Sequence, residues 1–109
     1  MTLSTLEQHV MLAIVAQHPG AYSVSIRGYI RDRAGYRPPV GSVHAAAHRL
    51  ERKWLVKSRV GKKSAHRGGR RKVHYVATAL GQDVLAESLR AIARLQRGAT
   101  KGAVEGASE

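Results

Sequence analysis

Residues 61–72 read GKKSAHRGGRRK, with six Lys or Arg, three Gly and no acid. Side chains of this kind bind anions. Guanidinium and ammonium groups meet phosphate oxygens through charge-assisted hydrogen bonds, and glycine lets the backbone approach closely. The charge extends beyond this stretch. Arg49, Arg52, Lys53, Lys57, Arg59, Lys62, Lys63, Arg67, Arg70, Arg71 and Lys72 lie within 24 residues, opposed only by Glu51. Double-stranded DNA presents a phosphate about every 1.7 Å along its axis, so an extended basic surface gains by releasing counterions. Taken alone, the run also suits a solvated hairpin or a basic face for an acidic protein.

Other chemistries find less support. His44 and His48 are four residues apart, a spacing that places two imidazoles on one metal. A metal site needs further ligands, and Glu51 is the only acid nearby, with no Cys anywhere. The seven acids are scattered without paired spacing, and Ser23, Ser42 and the histidines make no catalytic triad. No enzyme, metal site or cofactor is expected.

The elements that must position these residues follow from periodicity. Ser4 and Glu7 have capping-box spacing, and Leu6, Val10 and Ile14 with Met11 and Val15 make a helical apolar face ended by HPG at 18–20. In a second helix, Ser23 is the expected cap, Tyr22, Ile26 and Ile30 recur every fourth residue, and Gly35 closes the end. YRPPVG at 36–41 feeds a third helix with Val43, Ala47, Leu50 and Trp54 on its apolar face. Ser42, His44, Ala45, His48, Arg49 and Arg52 lie opposite. A lone Trp at a helix end is expected to close the core.

Two strands are predicted at 55–60 and 72–77, with the basic stretch as their hairpin tip. Tyr75 alternates to the core side. Thr78 then caps a long helix through residue 97 with Leu80, Val84, Leu85, Leu89, Ile92 and Leu95 as its stripe. The predicted fold class is mainly α with a small β-hairpin wing: a winged helix-turn-helix with a long C-terminal dimerisation helix.

Composition bounds the answer. A chain of 109 residues makes one modest core, and oligomerisation would help it. We expect one domain over 1–97 and a disordered tail over 98–109, where hydrophobicity is low. The net charge of +12 points to nucleic acid, an anionic membrane surface or an acidic protein. The first twenty residues lack a basic n-region and carry Glu7, His9 and polar Gln, so neither a signal peptide nor a membrane span is expected, and the cytoplasm is the expected location. With no Phe, one Trp and four Tyr, a base-stacking RNA-binding sheet is disfavoured.

Three segments, GAYSVSIRGYIRDRAG (20–35), VGSVHAAAHRLERKWLV (40–56) and RRKVHYVATALGQDVL (70–85), together resemble the PadR family of bacterial transcriptional regulators. The resemblance covers roughly residues 3–95. It implies a homodimeric DNA-binding repressor whose first and last helices form the dimer interface. In some members a planar aromatic effector binds in a cavity there. Ser42, His44, Ala45, His48 and Arg49 on the third helix, with Lys62, Lys63, Arg67, Arg70, Arg71 and Lys72 on the wing, are the expected DNA contacts. Leu6, Val10, Ile14, Leu85, Leu89, Ile92 and Leu95 are the expected dimer contacts. The expected function is sequence-specific regulation on an inverted-repeat operator. A protein–protein adaptor and non-specific nucleic-acid coating are the alternatives.

Three positions depart from the family pattern. His44 stands where Tyr is usual, Pro39 where a capping Ser is usual, and Trp54 where a helix-ending Gly is usual. A bulky residue at positive φ is strained, so a remodelled helix end is expected at Trp54.

Overall fold

The computed structural model describes residues 1–61 and 72–107. Along the chain it forms α1 (Thr5–Ala16), β1 (Ala21–Tyr22), α2 (Ser23–Ala34), α3 (Val40–Arg52), β2 (Val56–Val60), β3 (Val73–Ala77) and α4 (Ala79–Ala107).

The capping box at the start of α1 is closed. Ser4 Oγ accepts from Glu7 N–H at 3.1 Å, and Ser4 N–H donates to Glu7 Oε1 at 2.8 Å. Val10, Met11, Ala13 and Ile14 turn fully inward. Gly35 ends α2 at φ 79° and donates its N–H to Arg31 O. This left-handed conformation suits glycine.

Two residues at 21–22 add a strand that periodicity could not reveal. Ala21 pairs with Tyr75 and Tyr22 with His74, so the sheet has three antiparallel strands in the order β1-β3-β2. This pairing also moves the start of α2. Tyr22 is extended against His74 and becomes the residue before the helix, while Ser25 Oγ accepts from Tyr22 N–H at 3.0 Å. Ser23 is therefore the first helical residue and not the expected cap.

Val43, Ala46, Ala47 and Leu50 bury one face of α3 against α1 and α2. The expectation for Trp54 is overturned. It is 75% exposed and retains φ 65°, so it neither closes the core nor remodels the helix end. Its N–H donates to Glu51 O and Leu55 N–H donates to Leu50 O, the paired bonds of a Schellman end. That turn swings Trp54 outward and delivers the next residue, Leu55, wholly into the core.

Leu55 also sets the start of α4. A Cβ on Gly81 would lie 2.0 Å from Leu55 O, so only glycine lets α4 approach there. Thr78 Oγ1 accepts from Gly81 N–H at 2.9 Å and donates to Trp54 O at 2.7 Å, joining the helix cap to the end of α3. α4 continues past Arg97, where the sequence reading began a disordered tail, and reaches Ala107. Residues 98–107 contain no Pro, and Gly98 lowers helix propensity without stopping the helix. The whole is a winged helix-turn-helix, mainly α with a small sheet.

Candidate nucleic-acid interface

α3 separates two environments. Its core face is sealed, whereas His44, Ala45 and His48 are exposed and Ser42 is half-buried. These four expected contacts share the open side of the N-terminal two-thirds of the helix. Arg49 differs. Its Nε lies 3.7 Å from Glu7 Oε2, turned toward α1 with its side chain only partly open.

Glu7 was missed as a partner of this surface. Its carboxylate is almost wholly buried, yet Oε2 also accepts from Lys53 Nζ at 3.0 Å. Burial alone would raise its pKa. The Ser4 N–H bond and the Lys53 ammonium outweigh that and hold it below the ordinary 4.5. Two cations that a charge count assigns to the partner are thus partly engaged in fastening α3 to α1. A capping residue and a cation 46 residues later carry no shared sequence signal.

Arg27 of α2 donates from Nε to Pro38 O at 2.9 Å. This ties the turn ahead of α3 to α2. Pro39 has no side-chain donor or acceptor, and its carbonyl accepts from Ser42 and Val43 N–H at 3.0 and 3.1 Å. The backbone alone starts the helix.

His44 faces a buried hydroxyl. Ser23 Oγ lies 3.1 Å from His44 Nε2. Tyr75 is buried as expected. Burial pushes its pKa up, the Glu51 charge adds to this, and the Ser23 hydroxyl opposes it. The unusual His44 therefore meets the first residue of α2.

Of the two wing strands, β2 is the exposed and basic one. Lys57, Ser58, Arg59 and Val60 of β2 face solvent. Glu51 Oε2 accepts from Ser58 N–H at 3.2 Å and from the Ser58 hydroxyl. Lys72, just before β3, places its Nζ 4.4 Å above the Tyr22 ring, and His74 of β3 meets that ring edge-on. Lys62, Lys63, Arg67, Arg70 and Arg71 lie outside the described residues.

The expected dimer contacts divide. Val10, Ile14 and Leu85 are buried within the protomer, so they are core residues, not surface. Leu6 is half-buried against that core. Leu89, Ile92 and Leu95 are 38%, 44% and 74% exposed, on successive turns of α4. Among the described residues, no helix is long and apolar enough to cross a membrane.

Comparison with known proteins agrees with this geometry. The model of the transcriptional regulator PadR-like family matches residues 11–87. No curated protein matches significantly. Among solved structures, a PadR family transcription regulator from Clostridium difficile has TM-score 0.76 at 19% identity, covering 90% of this chain and 97% of the other. One from Eggerthella lenta has TM-score 0.70 at 24% identity, covering 84% and 78%. Bacillus subtilis PadR in complex with operator DNA has TM-score 0.68 at 13% identity, covering 81% of this chain and 48% of that one. At these identities the structures speak for the fold, and the family model spans most of the chain. The chain belongs to the PadR-like family of transcriptional regulators.

Proposed function

We propose that this protein binds double-stranded DNA sequence-specifically, as a homodimer on an inverted-repeat operator, and represses transcription from it. The observation that carries the reading is the open face of α3. His44, Ala45 and His48 stand exposed on a helix whose other face is sealed, and the strand that follows offers Lys57 and Arg59 to solvent. A helix-turn-helix places the N-terminal part of this helix against base edges in the major groove, while cations beside it meet phosphates. His44 can reach guanine N7, and Ala45 is small enough for a thymine methyl. The apolar turns of α4 at Leu89, Ile92 and Leu95 supply the surface for a second copy. An aromatic effector between the copies, as the family resemblance implies, completes the reading. Such a regulator works in the cytoplasm.

The test is a footprint on DNA flanking the protein's own gene, with binding compared on that site and on mixed-sequence duplex. A specific regulator prefers its site by roughly 10³-fold or more. Changing Lys57 and Lys72 together to Ala should reduce the salt slope by about 0.9 for each phosphate left unneutralised. His44→Ala should cost about 1–3 kcal/mol on the footprinted site and far less on mixed DNA. Equal affinity of the wild type for all sequences would leave non-specific coating as the function.

A further inference from the structure

We propose that Glu51 is a positioning residue for DNA binding, whose carboxylate clamps wing strand β2 to the C-terminal turn of α3. The inference rests on the DNA-binding reading above.

Glu51 is the only acid among the eleven cations of residues 49–72. By charge alone it opposes any phosphate that approaches this surface. Its contacts give it another role. Oε2 accepts both the backbone N–H and the hydroxyl of Ser58. Two charge-assisted bonds to one residue hold it in position as well as in contact.

The place of Ser58 gives the clamp its consequence. It is the middle residue of β2, and β2 is an edge of the sheet, paired with β3 on one side only. An edge strand leaves amides unpaired by any ladder. Glu51 takes up one of these from α3. Lys57 and Arg59 flank Ser58 and are both exposed, and strand alternation puts them on one face. The clamp thereby sets two cations at a fixed offset from His44, Ala45 and His48 on the helix that holds Glu51.

Two substitutions separate this role from charge. Glu51→Gln removes the negative charge and keeps an acceptor oxygen, whereas Glu51→Ala removes both. Affinity is measured for a duplex from the region flanking the protein's own gene, at fixed salt and pH. Glu51→Gln should bind at least as tightly as wild type, and Glu51→Ala about tenfold more weakly. If charge alone mattered, both changes would tighten binding, and Glu51→Ala binding as tightly as Glu51→Gln would overturn the proposal.

Hydrogen exchange at the Ser58 amide reads the clamp without DNA. It should be slow in wild type and Glu51→Gln, and about tenfold faster in Glu51→Ala. Unchanged exchange there would refute the clamp whatever the DNA result. Should Glu51→Ala fail to fold, Ser58→Ala removes one of the two bonds from the other side and should show a smaller loss of the same sign. Failure of the DNA reading appears separately, as wild type that binds no duplex, and it removes the positioning role even where Ser58 exchange still depends on Glu51.

Discussion

α1 and α4 present similar patterns and end in different places. Both repeat aliphatic residues at helical spacing, and both were expected to face a second copy. In α1 most of the stripe is consumed inside the protomer: Val10, Met11, Ala13 and Ile14 have no exposed surface, while Val15 at its C-terminal end stays 41% exposed. In α4, Leu85 reaches that core and Val84 packs against it, and the stripe then runs out into solvent at Leu89, Ile92 and Leu95. The difference lies in the neighbours. α1 is packed by α2, α3 and the sheet, whereas α4 packs mainly against α1 and β3. Periodicity shows that a helix has an apolar face, and packing settles what covers it.

The largest effect should come from cutting into the sealed helix. Ile14→Ala deletes wholly buried methyl groups and should cost about 2–5 kcal/mol, read as a lower midpoint in urea with an unchanged slope. A loss below about 1 kcal/mol would mean that α1 is not the centre of the core.

Glu7→Gln probes the bonds that hold α3 to α1. It should cost about 1.5–3 kcal/mol at neutral pH, because the buried carboxylate loses charge-assisted partners. Since the folded pKa lies below 4.5, this stability is fully present above 4.5 and is lost as pH falls through the folded value. The gap between wild type and Glu7→Gln should therefore close on acidification. A gap that widens would reverse the sign of the shift.

On the open helix, Leu89→Glu should leave the protomer folded and weaken self-association at least about tenfold, near 1.4 kcal/mol, as measured by sedimentation. Wild type that sediments as a monomer at micromolar concentration would break the comparison on the α4 side, because the exposed stripe would then have no second copy to cover it.

The smallest effect concerns Trp54, apolar by composition and exposed in the fold. Trp54→Gly should not destabilise, and relief of the left-handed strain should stabilise by up to about 1 kcal/mol, a rise of a few degrees in melting temperature. A loss of more than about 1 kcal/mol would show that the ring does pack after all.

Much of the fold was legible because its signals are short-range. The Ser4–Glu7 box, the Gly35 end, the Thr78 cap and the alternation at Tyr75 each involve residues within four positions of one another. β1 was not legible, since two residues cannot display a period and Ala21–Tyr22 becomes a strand only through Tyr75 and His74. The exposed face of α3 could be read, because Val43, Ala47 and Leu50 left His44, Ala45 and His48 no other side. The partial withdrawal of Arg49 and Lys53 toward Glu7 could not. A charge count treats every cation as available, and these two are met by an acid from the opposite end of the domain.

Local order, then, follows from the chain: where helices start and stop, which way each strand alternates, and how much positive charge there is to offer an anion. Those features depend on backbone hydrogen bonds and side-chain spacing over a turn or two. Which apolar face is core and which is surface, which cations remain open, and where Trp54 points depend on residues brought together from distant positions. Burial and pairing belong to a side chain's surroundings, and those exist only once α1, α3 and the sheet have packed.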